Sequence, residues 1–434
     1  MTKIKKEFNL DVTDINNFRY DAERCVGCKG CVWVDHIYMP GVEFGIKCPS
    51  LARYSFDAYA AYGREKIILG LLDGKYDYTA RLLDILYKCT LCGACDAGCK
   101  RNLDLEPLLV LEAARVKCVR DGKGPMPEQK KIAENIDKSH NRYGSPHANR
   151  SKWLPKDVKP ATKADIVYFV GCASSYVHTE IAQATARILT NTNTKFMLLD
   201  SEEWCCGYPL YSTGQVDAFK KQVEHNIEAV KKSGASTVLV SCAEGYKTWK
   251  VDYPKLLGKS TDDLGFKVMH LVEYIDQLIK DGSLRFNNQI NMKVTYHDPC
   301  NLGRLSEPWV QWEGRRGKWG VTEPPKPIRR GTYGIYEPPR EILRSIPGIE
   351  LVEMVRIREN AWCCGAGAGV RDAFRDFALW SAGERLKEAK TTGAEAIVVC
   401  CPHCKENFGE SIEAGKEKIK VYDISELLYK AVRK

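Results

Sequence analysis

Short apolar runs alternate with helical patterns through the second half of the chain. The runs Ile166 to Val170, Phe196 to Leu199 and Thr237 to Val240 have the length of buried strands. Between the last two, apolar residues recur at helical spacing from Val216 to Val230, and Gly234 is suited to ending that helix. Strands that alternate with helices predict a parallel sheet with helices packed on its faces.

This pattern of strands and helices occurs twice. Residues 164–282 and 292–433 can be aligned with one another, because three segments match in the same order. The matching segments are 203–207 with 361–365, 234–242 with 393–401, and 267–275 with 420–428. We therefore predict a duplicated unit, with one α/β domain at 164–285 and a second at 286–434.

The part of the chain before the repeat has a different pattern. The segments Tyr54 to Leu72 and Leu105 to Arg120 are helical in content, so residues 1–121 should form a mainly α-helical domain. The segment 122–163 is rich in Pro, Gly, Lys and Asn, which predicts a largely irregular linker. The expected fold class is thus α/β, with a mainly α-helical domain followed by two pseudo-repeated α/β domains.

Composition and charge narrow the functional classes. A chain of 434 residues with 44% hydrophobic residues is long enough for about three globular domains. No apolar run approaches the ~20 residues of a membrane span, and the sequence Met-Thr-Lys-Ile-Lys-Lys-Glu lacks the apolar region of a secretion signal. We expect a cytoplasmic protein that reaches the inner face of a membrane only through a partner. The net charge of +9 comes with no nucleic-acid-binding motif, and favours acidic redox partners or phosphate-bearing substrates.

Seventeen of the 19 cysteines fall into four groups, and the first two groups have iron-sulfur spacing. Each consists of a Cys-x2-Cys-x2-Cys run and a separate fourth cysteine, and in two-cluster ferredoxins that fourth cysteine ligates the other cluster. We therefore expect two cubane [4Fe-4S] clusters. One is assigned to Cys25, Cys28, Cys31 and Cys99, and the other to Cys48, Cys89, Cys92 and Cys95. Four-cysteine zinc sites are the alternative, but their usual signature is two Cys-x2-Cys pairs separated by a spacer.

The remaining two groups follow the predicted strands of the repeats. The first copy carries Cys172, Cys205, Cys206 and Cys242, and the second carries Cys300, Cys363, Cys364, Cys401 and Cys404. Ligands of open α/β sheets gather beyond the carboxyl ends of the strands, so each group should converge in space. Buried structural cysteines are the alternative interpretation. Cys118 and Cys400 belong to no group, and Cys400 is expected to be a packed core thiol.

The five-cysteine pattern of residues 300–404 resembles the cysteine-rich domain of heterodisulfide reductases, which is duplicated behind a two-cluster ferredoxin domain in their D subunit. The resemblance implies that Cys300, Cys363, Cys364, Cys401 and Cys404 hold a noncubane [4Fe-4S] cluster, the place where that family cleaves a disulfide. The two cubanes would then supply the electrons. His403 lies between two of these cysteines. It either donates a proton to a departing thiolate or tunes the cluster through a hydrogen bond.

Two departures from this pattern bear on function. Gly245 stands in the first copy where Cys404 stands in the second, so the four cysteines of the first copy would hold a further [4Fe-4S] cluster, a zinc ion or no metal. The second copy also has 62 residues between Cys300 and Cys363, against 32 in the first. The excess lies at about 308–334. It contains tryptophans and basic residues, at Trp309, Trp312, Arg315, Arg316, Lys318, Trp319, Arg329 and Arg330. This insert is expected to cap the noncubane cluster or to dock a partner.

The leading functional hypothesis is an oxidoreductase component similar to the D subunit of heterodisulfide reductases, in an anaerobic complex with flavin-containing, cytochrome-containing or reductase subunits. Its rival is a pure electron-transfer and docking subunit without a small substrate. The corresponding subunit of a class II benzoyl-CoA reductase complex and the iron-sulfur subunit of a glycolate or lactate oxidase are examples. Gly245 and the insert favour the rival.

Overall fold

The computed structural model describes residues 10–34, 43–100, 103–308, 310–317 and 321–433. Its N-terminal part is helical, as predicted. The α-helices there are Arg19–Arg24, Pro49–Tyr54, Ala61–Leu72, Ala80–Tyr87, Ala94–Cys99 and Pro107–Arg120, with 3-10 turns at Ile15–Phe18 and Asp57–Tyr59. Helix Pro107–Arg120 is buried along most of its length and packs against Ala61–Leu72. These two helices form the centre of the N-terminal core.

The segment 122–163 contains more regular structure than its composition predicts. It includes the 13-residue helix Pro127–Ser139 and a 3-10 turn at His147–Asn149, and its other residues lie outside helices and strands. Pro127 occupies the first turn of this helix, where a missing backbone N–H costs no hydrogen bond. The prolines that indicate a chain break in the sequence are therefore compatible with a helix start.

Each predicted repeat forms a four-stranded parallel sheet covered by helices, which confirms the α/β fold class. The first sheet consists of Ile166–Phe169, Phe196–Met197, Thr237–Val240 and Lys267–His270, and the second of Met292–Tyr296, Ile349–Val352, Ala396–Val399 and Lys420–Asp423. When the strands are numbered along each copy, both sheets have the spatial order 2-1-3-4. All neighbouring strands are parallel. Two sheets of identical topology support the duplication.

Helices connect the strands and join the two copies. In the first copy they are Cys172–Tyr176, Thr179–Asn191, Tyr208–Tyr211, Val216–Ser233, Ala243–Lys247, Tyr253–Leu257 and Leu271–Lys280, with a π-helical turn at Thr248–Asp252 and 3-10 turns at Asp200–Glu202 and Thr261–Leu264. In the second copy they are Glu337–Ser345, Val370–Ala373, Arg375–Thr391, Pro402–Gly415 and Ile424–Val432, with a 3-10 turn at Arg358–Asn360. The insert adds a two-stranded hairpin, Arg315–Arg316 with Thr322–Glu323.

The copies pack directly on one another. Helix Thr179–Asn191 of the first contacts Ile424–Val432 of the second, and Leu271–Lys280 contacts Glu337–Ser345. One continuous hydrophobic core runs through both sheets. Among the described residues, no helix combines the length and apolar character needed to cross a bilayer.

Asp423 makes the stability of this fold depend on pH. The buried carboxyl accepts hydrogen bonds from the Ser425 backbone at 3.0 Å and from its hydroxyl at 2.6 Å, at the start of the last helix. Burial raises the pKa of Asp423 to about 7. The folded protein thus keeps a proton that the unfolded chain releases near pH 4, so this group lowers stability as the pH rises from about 4 to about 7.

Asp423→Asn keeps a capping side chain but cannot ionise. We expect it to stabilise the fold by about 1 to 3 kcal/mol more at pH 8 than at pH 5, seen as a pH-dependent gain in the thermal midpoint. Asp137→Asn, at an exposed position of helix Pro127–Ser139, is the matched control and should show no such difference. Equal gains at both pH values for Asp423→Asn would contradict the expectation.

Candidate metal centres

The first cysteine set lies near the surface of the N-terminal domain. Its members Cys25, Cys28, Cys31 and Cys99 line one cavity of about 320 Å³, including solvent at its mouth. Cys28 is exposed, and the neighbouring Val26 is 73% exposed. The buried Glu65 carboxyl lies beside Cys25, and burial raises the pKa of Glu65 to about 7. The distant Cys99 thus joins the three residues that its spacing predicted.

The second cysteine set lies deeper, at the contact between the N-terminal domain and the repeats. Its members Cys48, Cys89, Cys92 and Cys95 line a cavity of about 380 Å³. Leu108 and Leu111 of helix Pro107–Arg120 also line this cavity, and Arg64 forms part of its wall. Four cysteine sulfurs around an apolar cavity match the donor set of a [4Fe-4S] cubane.

The five cysteines of the second copy also converge. The sulfurs of Cys364 and Cys404 are 3.2 Å apart, and Cys363 makes thiol contacts with Cys300 and Cys364. Cys401 contacts Cys404. Cys300 follows the first strand of its sheet, Cys363 and Cys364 follow the second, and Cys401 and Cys404 follow the third. All five therefore lie beyond the carboxyl ends of the strands, where they were predicted to converge. A set of five neighbouring thiols has the ligand atoms that an iron-sulfur group needs.

His297 is a site residue that sequence reasoning missed. Its ring nitrogen lies with the sulfurs of Cys364 and Cys404 in a group whose ligand atoms are all within 4.8 Å of one another. The residue is 1% exposed, and its Nδ1 accepts a hydrogen bond from Arg385 Nε at 3.3 Å. His297 directly follows strand Met292–Tyr296, so the strand-end rule that located the cysteines would have found it.

The second and third sets touch. Cys92 of the second set makes a thiol contact with Cys363 of the five-cysteine set. Arg304, 6% exposed, spans this contact by donating to the carbonyl of Cys92 at 2.5 Å and to that of Ala361 at 2.6 Å. The second cysteine set and the five-cysteine set are therefore directly adjacent.

The first-copy cysteines face the second copy across a cavity. A cavity of about 430 Å³, including solvent at its mouth, is lined by Cys172, Cys205, Cys206 and Cys242 together with Gly245, Pro402 and His403, and we call it the inter-repeat cavity. Cys172 contacts Cys205, whereas Cys242 makes a thiol contact with Cys401 of the other copy. A Cβ atom built on Gly245 would meet only the Cβ of Cys242, at 3.8 Å. The missing fifth cysteine thus leaves open space in the cavity wall.

Two equivalent positions of the repeats meet beside this cavity. Glu244 occupies in the first copy the place of His403 in the second, and the carboxylate oxygen lies 3.2 Å from His403 Nε2. Burial raises the pKa of Glu244 to about 7. Burial also opposes protonation of His403, but the carboxylates of Glu244 and Glu406 raise its pKa to about 9. The two side chains form a buried pair that can hold a proton. The sequence pattern identified His403 as a candidate but not Glu244.

The insert lies over the N-terminal domain. Lys326 Nζ donates to Glu106 Oε1 at 2.7 Å and to the Asp104 carbonyl at 3.0 Å, and the Arg316 guanidinium lies over the Tyr20 ring. Its residues Arg329 and Gly331 line a polar cleft that also includes Arg304. None of its described residues lines the inter-repeat cavity. Trp309, Lys318 and Trp319 lie outside the described residues.

The two ungrouped cysteines are buried. Cys118 is 1% exposed in helix Pro107–Arg120, and Cys400 is fully buried at the end of strand Ala396–Val399. The Tyr296 hydroxyl hydrogen-bonds to the Cys400 sulfur at 3.6 Å. Cys400 therefore points into the core of the sheet, away from the group that contains Cys401.

Comparisons with known proteins agree with this arrangement. Residues 21–103 match the 4Fe-4S dicluster domain, and residues 166–245 and 327–409 match the cysteine-rich domain. The chain is 34% identical over 434 residues to the D subunit of dihydromethanophenazine:CoB–CoM heterodisulfide reductase from Methanosarcina mazei, with 99% of this chain and 98% of that protein covered.

More distant relatives have other named activities. The B subunit of fumarate reductase (CoM/CoB) from Methanothermobacter marburgensis is 29% identical, over 79% of this chain and 61% of that protein. EtfAB:quinone oxidoreductase of Syntrophomonas wolfei is 27% identical, over 80% of this chain and 47% of that protein. These matches confirm the prediction of an iron-sulfur oxidoreductase subunit.

Proposed function

We propose that the chain carries electrons inside a redox complex to a site where a disulfide is reduced, because it belongs to the family of heterodisulfide reductase D subunits. The two N-terminal cysteine sets would each hold a cubane cluster, and the five cysteines of the second copy would hold a noncubane cluster. The observation that carries this proposal is the continuity of the sites. The contact between Cys92 and Cys363 joins the second set to the five-cysteine set, and the latter adjoins the inter-repeat cavity.

The surface position of the first set suits electron entry. Cys28 and Val26 are exposed, so a redox partner can approach this set closely. We infer that a flavin-containing, cytochrome-containing or reductase subunit docks there, in the cytoplasm or at the inner face of a membrane. The exposed Lys29 beside the set pairs with Asp57 at 3.5 Å, so both signs of charge are available to a partner there.

The inter-repeat cavity suits a small sulfur-containing substrate. Reducing a disulfide of two thiols consumes two electrons and two protons, and breaks the S–S bond to give two thiols. An iron-sulfur cluster on the five cysteines would supply electrons one at a time and an iron to which sulfur binds. The chain's own contribution is the cavity wall, with Phe169 and Pro209 as apolar contacts, and the Glu244–His403 pair, which holds a proton at its edge.

A second candidate is favoured by Gly245. A family member that directs one sulfur to each copy needs a ligand set in both, and the first copy has only four cysteines. In that case the chain would pass its electrons on to a neighbouring protein and bind no small substrate.

The division into domains at 1–121, 164–285 and 286–434 is part of both proposals, and the two family matches and two sheets support it.

The test is electron paramagnetic resonance of the anaerobically oxidised holoprotein, with and without 2-mercaptoethanesulfonate. A new paramagnetic signal that requires the thiol supports disulfide chemistry at the five-cysteine site. The alcohol analogue 2-hydroxyethanesulfonate is the matched control, because it has the same charge but no thiol. A spectrum that is unchanged by this thiol and by coenzyme A would favour the second candidate, an electron-transfer subunit without a small substrate.

A further inference from the structure

We propose that three buried arginines set the direction of electron transfer in this chain, by making the second cysteine set easier to reduce than the first. Electrons would then flow inward, from the exposed set to the deep set and on to the five cysteines. This inference rests on the proposed function, since it takes both N-terminal sets to hold clusters.

The three guanidinium groups surround the second set. Arg64 and Arg115 are 1% exposed and Arg304 is 6% exposed. Each donates a hydrogen bond to a backbone carbonyl of the loop that carries the cysteines. The bonds are Arg64 Nη2 to Lys88 O at 2.8 Å, Arg115 Nη2 to Cys89 O at 2.6 Å, and Arg304 Nε to Cys92 O at 2.5 Å. One short loop is therefore held by three positive charges.

The described residues give these charges no acidic counterpart. Within that part of the chain, none of the three arginines lies within 4.0 Å of a carboxylate, although Arg340 and Arg356 pair with Asp298 and Glu388. In the same residues, Arg115 Nε and Arg304 Nη2 are buried without a hydrogen-bond partner. A buried and unpaired cation is costly, so an anionic group in the neighbouring cavity is the natural counterpart.

The repeat offers an internal comparison. Near Cys172 of the first copy lies Arg150, whose Nη1 is 2.7 Å from the Glu203 carboxylate. The position equivalent to Glu203 in the second copy is Ala361, and it offers Arg304 only a backbone carbonyl. At this equivalent position the first copy thus supplies a carboxylate to an arginine, whereas the second copy supplies only a backbone carbonyl.

The first set has a mixed environment instead. The buried Glu65 carboxyl lies beside Cys25 of the first set, whereas Asp96 lies near both Cys99 of the first set and Cys95 of the second. Lys66 and Lys100 are also close, but Lys100 is paired with Glu106 at 2.7 Å. Glu65 and Lys66 therefore offset one another around the first set, whereas three arginines outweigh the one carboxyl, Asp96, beside the second set.

Reduction adds a negative charge to a cluster, so nearby fixed cations favour the reduced form and raise its potential. Burial acts against this, because a more charged cluster is less stable away from water. The second set is the deeper one, but three charges in a protein interior act about four times more strongly than in water. We therefore expect the arginine effect to exceed the burial effect.

The experiment is an anaerobic redox titration of the holoprotein followed by paramagnetic resonance. The result expected is that the second cluster is reduced at a higher potential than the first. Cys28→Ser, which alters one expected ligand of the first cluster, identifies which signal belongs to which set. The order of the two potentials is measured on the protein with its arginines intact. The result therefore does not depend on whether an arginine variant folds.

Arg304→Gln then tests the cause. We expect the ratio of oxidised to reduced second cluster to rise at least tenfold at a given potential, which equals about 59 mV for one electron. The potential of the first cluster should be unchanged. In Arg304→Lys, which keeps the positive charge, the potential of the second cluster should return most of the way to its value in the unaltered protein. Arg81→Gln is the control, since Arg81 is 74% exposed in the same domain.

The possible failures can be told apart. A holoprotein without two cubane signals would overturn the proposed function and this inference together. Two signals whose order is reversed, or a second cluster that Arg304→Gln leaves unmoved, would overturn the inference alone.

Discussion

Replacing Cys401 by serine is expected to remove about four irons per chain and to leave the two cubane signals in place. Cys401 is 2% exposed, and its sulfur contacts both Cys404 of the five-cysteine set and Cys242 across the inter-repeat cavity. A serine hydroxyl is a far weaker iron ligand than a thiolate, so the noncubane cluster should be lost. Any thiol-dependent signal should disappear with it. Iron analysis and paramagnetic resonance of the anaerobically purified variant measure both effects.

Cys400→Ser is the matched control for this prediction. The residue is the immediate neighbour, is fully buried, and differs from Cys401 in the direction of its sulfur, which meets the Tyr296 hydroxyl in the core. Iron content should stay the same in this variant. Loss of iron from Cys400→Ser, or full retention by Cys401→Ser, would mean that the ligand had been assigned to the wrong cysteine of the pair.

The cysteine spacing predicted the local sets because ligands of one cluster are constrained by short loops. Triple Cys-x2-Cys-x2-Cys runs and cysteines at strand ends require only local geometry, and the structure brings Cys48 and Cys99 to the cavities that the spacing indicated. The contacts of Cys92 with Cys363 and of Cys242 with Cys401 could not be predicted. They depend on how three separate regions of the chain pack together, and no local pattern encodes that packing.

The segment 122–163 shows a second limit. Its polar composition hides a role in the site, because Arg142 lines the inter-repeat cavity and the His140 carbonyl accepts a hydrogen bond from the Cys205 backbone at 2.8 Å. Polar residues that bind backbone groups leave no hydrophobic period in the sequence. Such a segment resembles an exposed linker until its partners are known.

The buried arginines are a third limit. The chain has 65 lysines and arginines, and nothing in the sequence marks Arg64, Arg115 and Arg304 as the ones that lose contact with water. Arginine is usually exposed, so composition alone does not indicate that these three are buried. Their carbonyl partners come from distant parts of the chain and appear only in the folded structure.

Arg115→Met is expected to give the largest loss of stability, because one guanidinium joins all three domains. It donates to Leu86, Tyr87 and Cys89 in the N-terminal domain, to Ser212 in the first copy and to Ala368 in the second. The five donor-to-carbonyl distances lie between 2.6 and 3.2 Å. Methionine fills similar space but leaves these buried carbonyls without that donor. We expect a loss of about 4 kcal/mol or more, since each unsatisfied buried group costs about 1–3 kcal/mol.

The measurement is the temperature at which the cluster absorbance is lost under anaerobic conditions, compared at one heating rate because multidomain proteins need not unfold in two states. A loss of that size should lower this temperature by roughly 10 °C. Arg120→Met on the same helix is the control, since Arg120 is exposed and bonds only to Thr13 among the described residues, so a fall of at most about 2 °C is expected. Arg115→Lys should lie between the two, because one ammonium reaches fewer of the carbonyls than a planar guanidinium. If Arg115→Met and Arg120→Met lost their cluster absorbance at the same temperature, the hydrogen bonds of Arg115 would not be what holds the three domains together.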